Sequence, residues 1–194
     1  MRLCIYNAKG GSGRTTISLN LAGYYAQGKE RILVCDRDPQ GSALAWAALA
    51  GETAFTVGCG RSRGFDIEII DMPPSLPANG VLPEADLYVI PTLLDGVSFV
   101  VFLRTMELIN KLGVPHVVVA NRYNKARAEH RTRLENPYLN KAVVFPERAA
   151  FASYYAQGKT LFDLHGPHTK AAKSDIERLA SAVKINLERQ GDHS

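Results

Sequence analysis

Short, nearly uninterrupted apolar runs alternate along the chain with longer stretches of helical periodicity. The first run, 2–6, reads as a strand; a glycine-rich turn follows, and the spacing of apolar positions over 15–27 is that of a helix. A second strand is predicted over 31–36, a short helix over 41–50, and a third strand over 66–71 that ends at the breaker pair Pro73 and Pro74. Downstream the pattern predicts a strand over 87–91, a helix over 97–112, a β-branched strand over 114–120 and a polar helix over 125–134. A short strand over 142–145, a helix over 148–157 and an amphipathic helix over 170–189 complete the series. Strands without polar alternation are covered on both faces, as in sheets whose crossovers carry helices. The expected fold is therefore α/β: a single doubly wound, mainly parallel sheet flanked by helices. One domain is expected over 1–189, with 190–194 a disordered tail. The segment 51–64, rich in glycine and carrying Arg61 and Arg63, is expected to be irregular.

Composition keeps that picture and removes some functional classes. The 194 residues are 46% hydrophobic and 22% charged, close to the globular average. A net charge of +4 is too small to hold nucleic acid through the field of the whole molecule, so any such affinity must come from a local patch. Cys4, Cys35 and Cys59 cannot all pair with one another, and two of them lie in apolar runs, which predicts a reduced, cytoplasmic protein. The N-terminal apolar stretch is too short for a signal peptide, and Pro83, Glu84, Asp86, Pro91 and Asp95 interrupt the most apolar later region, so no membrane span is expected. The histidines have no zinc spacing with the cysteines, and no G-x-S-x-G segment occurs. Trp46 is expected in core or subunit packing.

The candidate chemistry lies in the turn Ala8-Lys9-Gly10-Gly11-Ser12-Gly13-Arg14-Thr15-Thr16, between the first strand and the first helix. Backbone N–H groups and the helix dipole converge on an anion at such a place. The glycines let the backbone curl around phosphate oxygens, Thr15 can put a hydroxyl on Mg²⁺, and a cation at position 14 can reach the β- and γ-phosphates. The P-loop pattern G-x-x-x-x-G-K-[ST] is met with Ala8 for its first glycine and Arg14 for its lysine. A plain glycine turn or a dinucleotide fingerprint remain alternatives, with Asp36 as ribose ligand in the latter, but both leave Thr15 and Thr16 without a task.

KGGSGRTT resembles the deviant Walker A motif, KGGxGK[ST], of the ParA/MinD family of partitioning and positioning ATPases. Cys35-Asp36-Arg37-Asp38-Pro39-Gln40-Gly41-Ser42 is similar to the family's D-x-D-P-Q-G-N segment, and Ile69-Ile70-Asp71-Met72-Pro73-Pro74 to its Walker B strand. Phe145-Pro146-Glu147-Arg148 and the segment 155–163 resemble its late loop, and the PQG after an aspartate points to the ParA branch. The resemblance implies a P-loop NTPase fold, ATP and Mg²⁺ as ligands, and an ATP-dependent sandwich homodimer. By the same resemblance Lys9 is the signature lysine that crosses to the partner's nucleotide, Gly10, Gly11, Ser12, Gly13, Arg14, Thr15 and Thr16 cradle the phosphates, and Asp38 orients the attacking water. Thr15, Asp36 and Asp71 would hold magnesium, and Asn121, Pro146 and Glu147 would border the adenine. A solvated loop lysine at position 9, a helix-capping Asp36 and a turn-forming Asn121 are the structural alternatives. Arginine is planar and forked where lysine is compact, so Arg14 is expected to permit binding but to slow or abolish hydrolysis.

In proteins of the ParA kind the ATP-bound dimer binds DNA without sequence preference, through phosphate contacts. Candidates are Arg122, Lys125, Arg127, Arg131 and Arg133, with Lys170, Lys173, Arg178 and Lys184 on the last helix; clustered basic residues on helices are more often a solvated face. The resemblance further implies a ParB-like or other cargo adaptor, a nucleoid-associated location, and a cargo such as a plasmid, chromosome or protein microcompartment. With no bulky apolar face near its end and a first strand at its start, the sequence is expected to carry neither a membrane anchor nor a preceding helix-turn-helix domain. A nucleotide-gated switch with little hydrolysis is the competing class, and a metabolic amidase or synthetase on the same fold the third.

Overall fold

The computed structural model describes residues 1–60, 62–77 and 80–191. Seven strands form one parallel sheet: β1 (Arg2–Ile5), β2 (Ile32–Asp36), β3 (Thr56–Gly58), β4 (Ile67–Asp71), β5 (Leu87–Leu93), β6 (His116–Tyr123) and β7 (Val143–Pro146). Their order is β3-β2-β4-β1-β5-β6-β7, and every pair is parallel. The helices are α1 (Arg14–Tyr25), α2 (Ser42–Ala50), α3 (Gly96–Leu112), α4 (Ala128–Leu134), α5 (Ala150–Ser153) and α6 (Pro167–Gly191). Successive strand residues point to opposite faces, and the two faces carry separate cores. Leu3, Ile5, Val89 and Val119 join Ile17, Leu21, Trp46, Ile176 and Leu179 from α1, α2 and α6 on one side. Cys4, Tyr6, Ile90 and Val118 join Phe102, Met106 and Ile109 of α3 on the other. Both faces are thus covered, as the uninterrupted apolar strands require.

The departures from expectation are local. The glycine-rich segment 51–64 contains β3, an edge strand paired with β2; Arg61 lies outside the described residues. The helix expected over 148–157 is broken. Only the four residues of α5 are α-helical, a 3-10 turn follows at Tyr155–Gln157, and Gly158 at φ 61 ends it. The break lets Tyr154 sit 1% exposed in the core, with its hydroxyl against Asn20. The last helix begins earlier than expected, at Pro167, where the missing N–H is harmless, and it runs on through Gln190 and Gly191. The rest of the expected tail, 192–194, lies outside the described residues. Trp46 packs within the chain, stacked on Phe55 at 5.3 Å between ring centroids, its indole N–H donating to the Lys159 carbonyl.

Candidate nucleotide site

β1 has β4 on one side and β5 on the other, so the chain turns from one half of the sheet to the other at its C-terminal end. In open parallel sheets ligands bind at such a switch point. The turn that leaves β1 carries Lys9 through Gly13 and feeds directly into α1. Gly11 at φ 74 and Gly13 at φ 99 make the curl. Gly13 is doubly constrained, since a Cβ there would fall 2.3 Å from Asn121 Nδ2.

Two cavities meet at this turn. One of about 330 Å³ is lined by Gly10, Gly11, Gly13, Arg14, Thr15, Thr16 and Asp38. The other, about 500 Å³, extends from Gly13, Thr16 and Ile17 toward Asn121, Phe145, Pro146, Glu147 and Phe151. Gly13, Thr16 and Arg122 line both, so the glycine cradle and the wider cavity are continuous. Asn121 donates from Nδ2 to the Ser12 carbonyl at 2.9 Å and accepts the Arg122 N–H at 2.9 Å. Its side chain therefore ties the end of β6 to the turn, and one amide hydrogen is left for anything in the wider cavity.

At the floor of the cradle, Asp36 and Asp71 are cross-strand partners in the register of β2 and β4. Asp36 takes the capping alternative as its hydrogen bonds stand: Oδ2 accepts from Ala43 N at 2.9 Å and Leu44 N at 3.1 Å, opening α2, and Oδ1 accepts from Asp38 N at 3.0 Å. Asp71 is fully buried; Oδ2 accepts the Thr15 hydroxyl at 2.7 Å, while Oδ1 has no hydrogen-bond partner among the described residues. The Ser18 hydroxyl faces this carboxyl and favours its charged form without completing a bond. Burial pushes Asp71 up to about 7, against the Thr15 bond and with the Asp36 charge adding to the rise. A buried, orphaned carboxylate oxygen beside a threonine hydroxyl suits a divalent cation. Among the described residues no three His, Cys, Asp or Glu side chains gather into a metal cage.

Arg14 is the departure with the largest structural consequence. It is 7% exposed and its guanidinium is turned into the loop. Nε donates to the Met72 carbonyl at 2.7 Å; one terminal nitrogen donates to the carbonyls of Asn7 at 2.9 Å and Lys9 at 2.7 Å; the other lies 3.7 Å from Asp38 Oδ2. Burial lowers its pKa, and the charges of Asp71 and Asp38 resist the fall. Asp38, the expected water-orienting carboxylate, is thus held by Arg14 on one oxygen and by the Gln40 N–H on the other. Lys9 is half-buried, its N–H donating to Asn7 Oδ1. Asn7 was not among the sequence candidates, although it is a polar residue directly after an apolar strand. It is fully buried and joins the turn to the Pro91 carbonyl and to Thr105 on α3.

The basic candidates separate. Lys125 and Lys170 are exposed and have no ion-pair partner among the described residues, and Arg127 is exposed but pairs with Glu129. Arg131 donates to the Lys125 carbonyl, and Arg133 to Leu94 and Glu129 while lying over the Phe99 ring. Lys173, expected on a DNA-binding face, instead donates to the Leu164 carbonyl at 2.9 Å and sits over the Phe162 ring. Its ammonium is held against the body of the protein because the 3-10 turn Leu161–Asp163 packs beneath α6. Arg178 is bound to Asp175 and the Val144 carbonyl, and Lys184 lies 3.8 Å from Glu188. Among the described residues no helix is long and apolar enough to cross a membrane.

Residues 3–161 match the family model of the CobQ/CobB/MinD/ParA nucleotide binding domain. The chain is 43% identical to the chromosome-partitioning ATPase Soj of Thermus thermophilus, covering 96% of each chain. It is 28% identical to the maintenance of carboxysome distribution protein A of Gloeobacter kilaueensis, covering 93% of each. Among solved structures it resembles a plasmid partition protein of Borrelia burgdorferi bound to AMPPNP, with a TM-score of 0.74, 16% identity, and coverage of 93% of this chain and 98% of that one. MinD of Aquifex aeolicus superposes with a TM-score of 0.70 at 16% identity, over 93% and 97% of the two chains.

Proposed function

Because this chain belongs to the CobQ/CobB/MinD/ParA nucleotide-binding family, whose ParA-like branch comprises positioning ATPases, we propose that it binds Mg-ATP, dimerises on doing so, and positions a cargo over nonspecific DNA with an adaptor protein. The observation that carries the reading is the continuity of the glycine cradle with the wider cavity, above the buried, orphaned carboxylate of Asp71. The glycine turn and the start of α1 hold the phosphates through backbone N–H groups. Thr15 and Asp71 would hold the cation, and Asp36 shapes the same floor while it caps α2. Bound magnesium supplies charge neutralisation on the β- and γ-phosphates. Pro146, Glu147 and Asn121 border the base, and Lys9, in the turn that leaves β1, reaches the nucleotide of a second copy. The DNA-facing cations in this reading are Lys125, Arg127 and Lys170, and the protein works in the cytoplasm on the nucleoid.

A second reading of the same site, a nucleotide-gated switch with slow turnover, is favoured by the Arg14 network, which occupies both the P-loop cation and the water-orienting Asp38. One measurement addresses the dimer common to both: molar mass by light scattering, with and without Mg-ATP, on the wild type and Lys9→Ala. A monomer-to-dimer shift with ATP that Lys9→Ala abolishes is expected. Nucleotide bound with no change of mass overturns the sandwich dimer.

A further inference from the structure

The Arg14 guanidinium is spent on three backbone carbonyls and Asp38, so the cradle holds its nominal phosphate cation in a structural role. A second arginine lines the same cradle. Arg122 borders the cradle, the wider cavity, and a third depression shared with Asp95 and Glu147. It is exposed, and its side chain has no hydrogen-bond or ion-pair partner among the described residues. It is also the one non-glycine residue at positive φ among those described, at φ 52. Left-handed backbone is costly for any residue with a Cβ, and glycine or asparagine would adopt it more easily. The surroundings enforce it: Asn121 Oδ1 grips the Arg122 N–H while Asn121 Nδ2 grips the Ser12 carbonyl, so the strained residue is anchored to the glycine turn itself. Strain retained at an arginine beside a cavity points to a use for the side chain.

We infer that Arg122 is the mobile phosphate cation of this site, binding the nucleotide's polyphosphate where the glycine cradle joins the wider cavity. The inference rests on the nucleotide reading above and replaces the expectation that Arg122 faces DNA. From that junction the guanidinium recognises diphosphate and triphosphate alike and contributes nothing to recognition of the nucleoside.

Equilibrium titration with fluorescent N-methylanthraniloyl ADP and ATP, plus competition by adenosine, tests this on the wild type, Arg122→Gly, Arg122→Ala and Arg122→Lys. Gly and Ala should each weaken both nucleotides about tenfold and Lys about threefold, the scale of one charge-assisted contact at a partly exposed site. Adenosine competition should not change. The Gly variant separates function from structure, because it accepts φ 52 without strain and should melt at or above the wild-type temperature while binding nucleotide less well. Unchanged nucleotide affinity in both Gly and Ala would make Arg122 a strained turn residue only and overturn the inference. Lost DNA affinity with intact nucleotide affinity would return it to a DNA face, with the same consequence. A wild type that binds neither nucleotide defeats the nucleotide reading itself, and the inference with it.

Discussion

Replacing Arg14 by lysine restores the residue of the standard P-loop pattern, and the structure makes its effects on stability and turnover opposite in sign. The guanidinium satisfies the Met72, Asn7 and Lys9 carbonyls from two nitrogens while it pairs with Asp38, all at 7% exposure. A lysine ammonium has three donors against the guanidinium's five, all on one nitrogen, so it cannot reach Met72 on one side of the loop and Asp38 on the other. Losing one or two hydrogen bonds from a charged, buried donor costs about 2–4 kcal/mol. For a domain of this size that corresponds to a fall in melting temperature of roughly 4–16 °C in the absence of nucleotide. The same change frees Asp38 and gives the cradle a compact cation, so multiple-turnover phosphate release from ATP should rise above the wild-type rate. Scanning calorimetry without nucleotide and a phosphate-release assay read the two effects. An Arg14→Lys protein that melts within a degree of wild type would refute the carbonyl network as a stabilising element; equal turnover would refute the restraint on Asp38.

Gly13→Ala should lower stability by about 2–3 kcal/mol, the sum of left-handed strain at φ 99 and loss of the Asn121 to Ser12 bond as the new Cβ meets Asn121 Nδ2. Thermal unfolding checks it, and an unchanged melting temperature would show that Asn121 moves aside freely. Asp71 sets a pH dependence. Its pKa is raised from 3.8 to about 7, so between those values the folded state binds more protons than the unfolded one, and this group's contribution to stability falls as pH rises. The slope is at most about 1.4 kcal/mol per pH unit. Asp71→Asn removes it, so in urea unfolding without nucleotide or Mg²⁺ the variant should gain roughly 2–3 kcal/mol relative to wild type between pH 5 and pH 8. A difference from wild type that is the same at both pH values would show that Asp71 is not the group responsible.

Most of the parallel sheet was legible because its strands are almost wholly apolar: Leu3 and Ile5 feed one core, Cys4 and Tyr6 the other. β3 was not, since Thr56–Gly58 is three residues inside a glycine-rich segment and holds its place through register with Leu33–Cys35. The break after α5 was hidden for a related reason. Helical periodicity continues through Tyr154, and the contacts that accompany the break are long-range ones that no local pattern shows: Asn20 on the Tyr154 hydroxyl, and the Tyr155 hydroxyl on the Ser42 carbonyl. At the site, spacing identified the glycine turn and the carboxylates but not what each side chain touches. Lys170 and Lys173 look alike in sequence, yet one is exposed and the other is seated on Phe162.

The two arginines of the cradle divide one task. A P-loop cation must stabilise the turn when no anion is present and neutralise the anion when one arrives, and a flexible ammonium can change partners between the two states. The Arg14 fork is too well matched to its carbonyls for that, because leaving them would strand three backbone acceptors at a nearly buried site. The wild-type cradle therefore keeps its shape without ligand. An arriving polyphosphate must be met by donors that need not abandon a partner: the N–H groups of the glycine turn and Arg122 on its strained anchor. It follows that binding and turnover are separable in this protein. Arg122 variants should move affinity while leaving the restraint on Asp38 in place, and Arg14→Lys should release Asp38 with a smaller effect on affinity. If the double variant Arg14→Lys, Arg122→Gly showed nucleotide affinity equal to Arg14→Lys alone, the lysine would have taken over the whole task, and the division would be a direct consequence of the arginine at position 14.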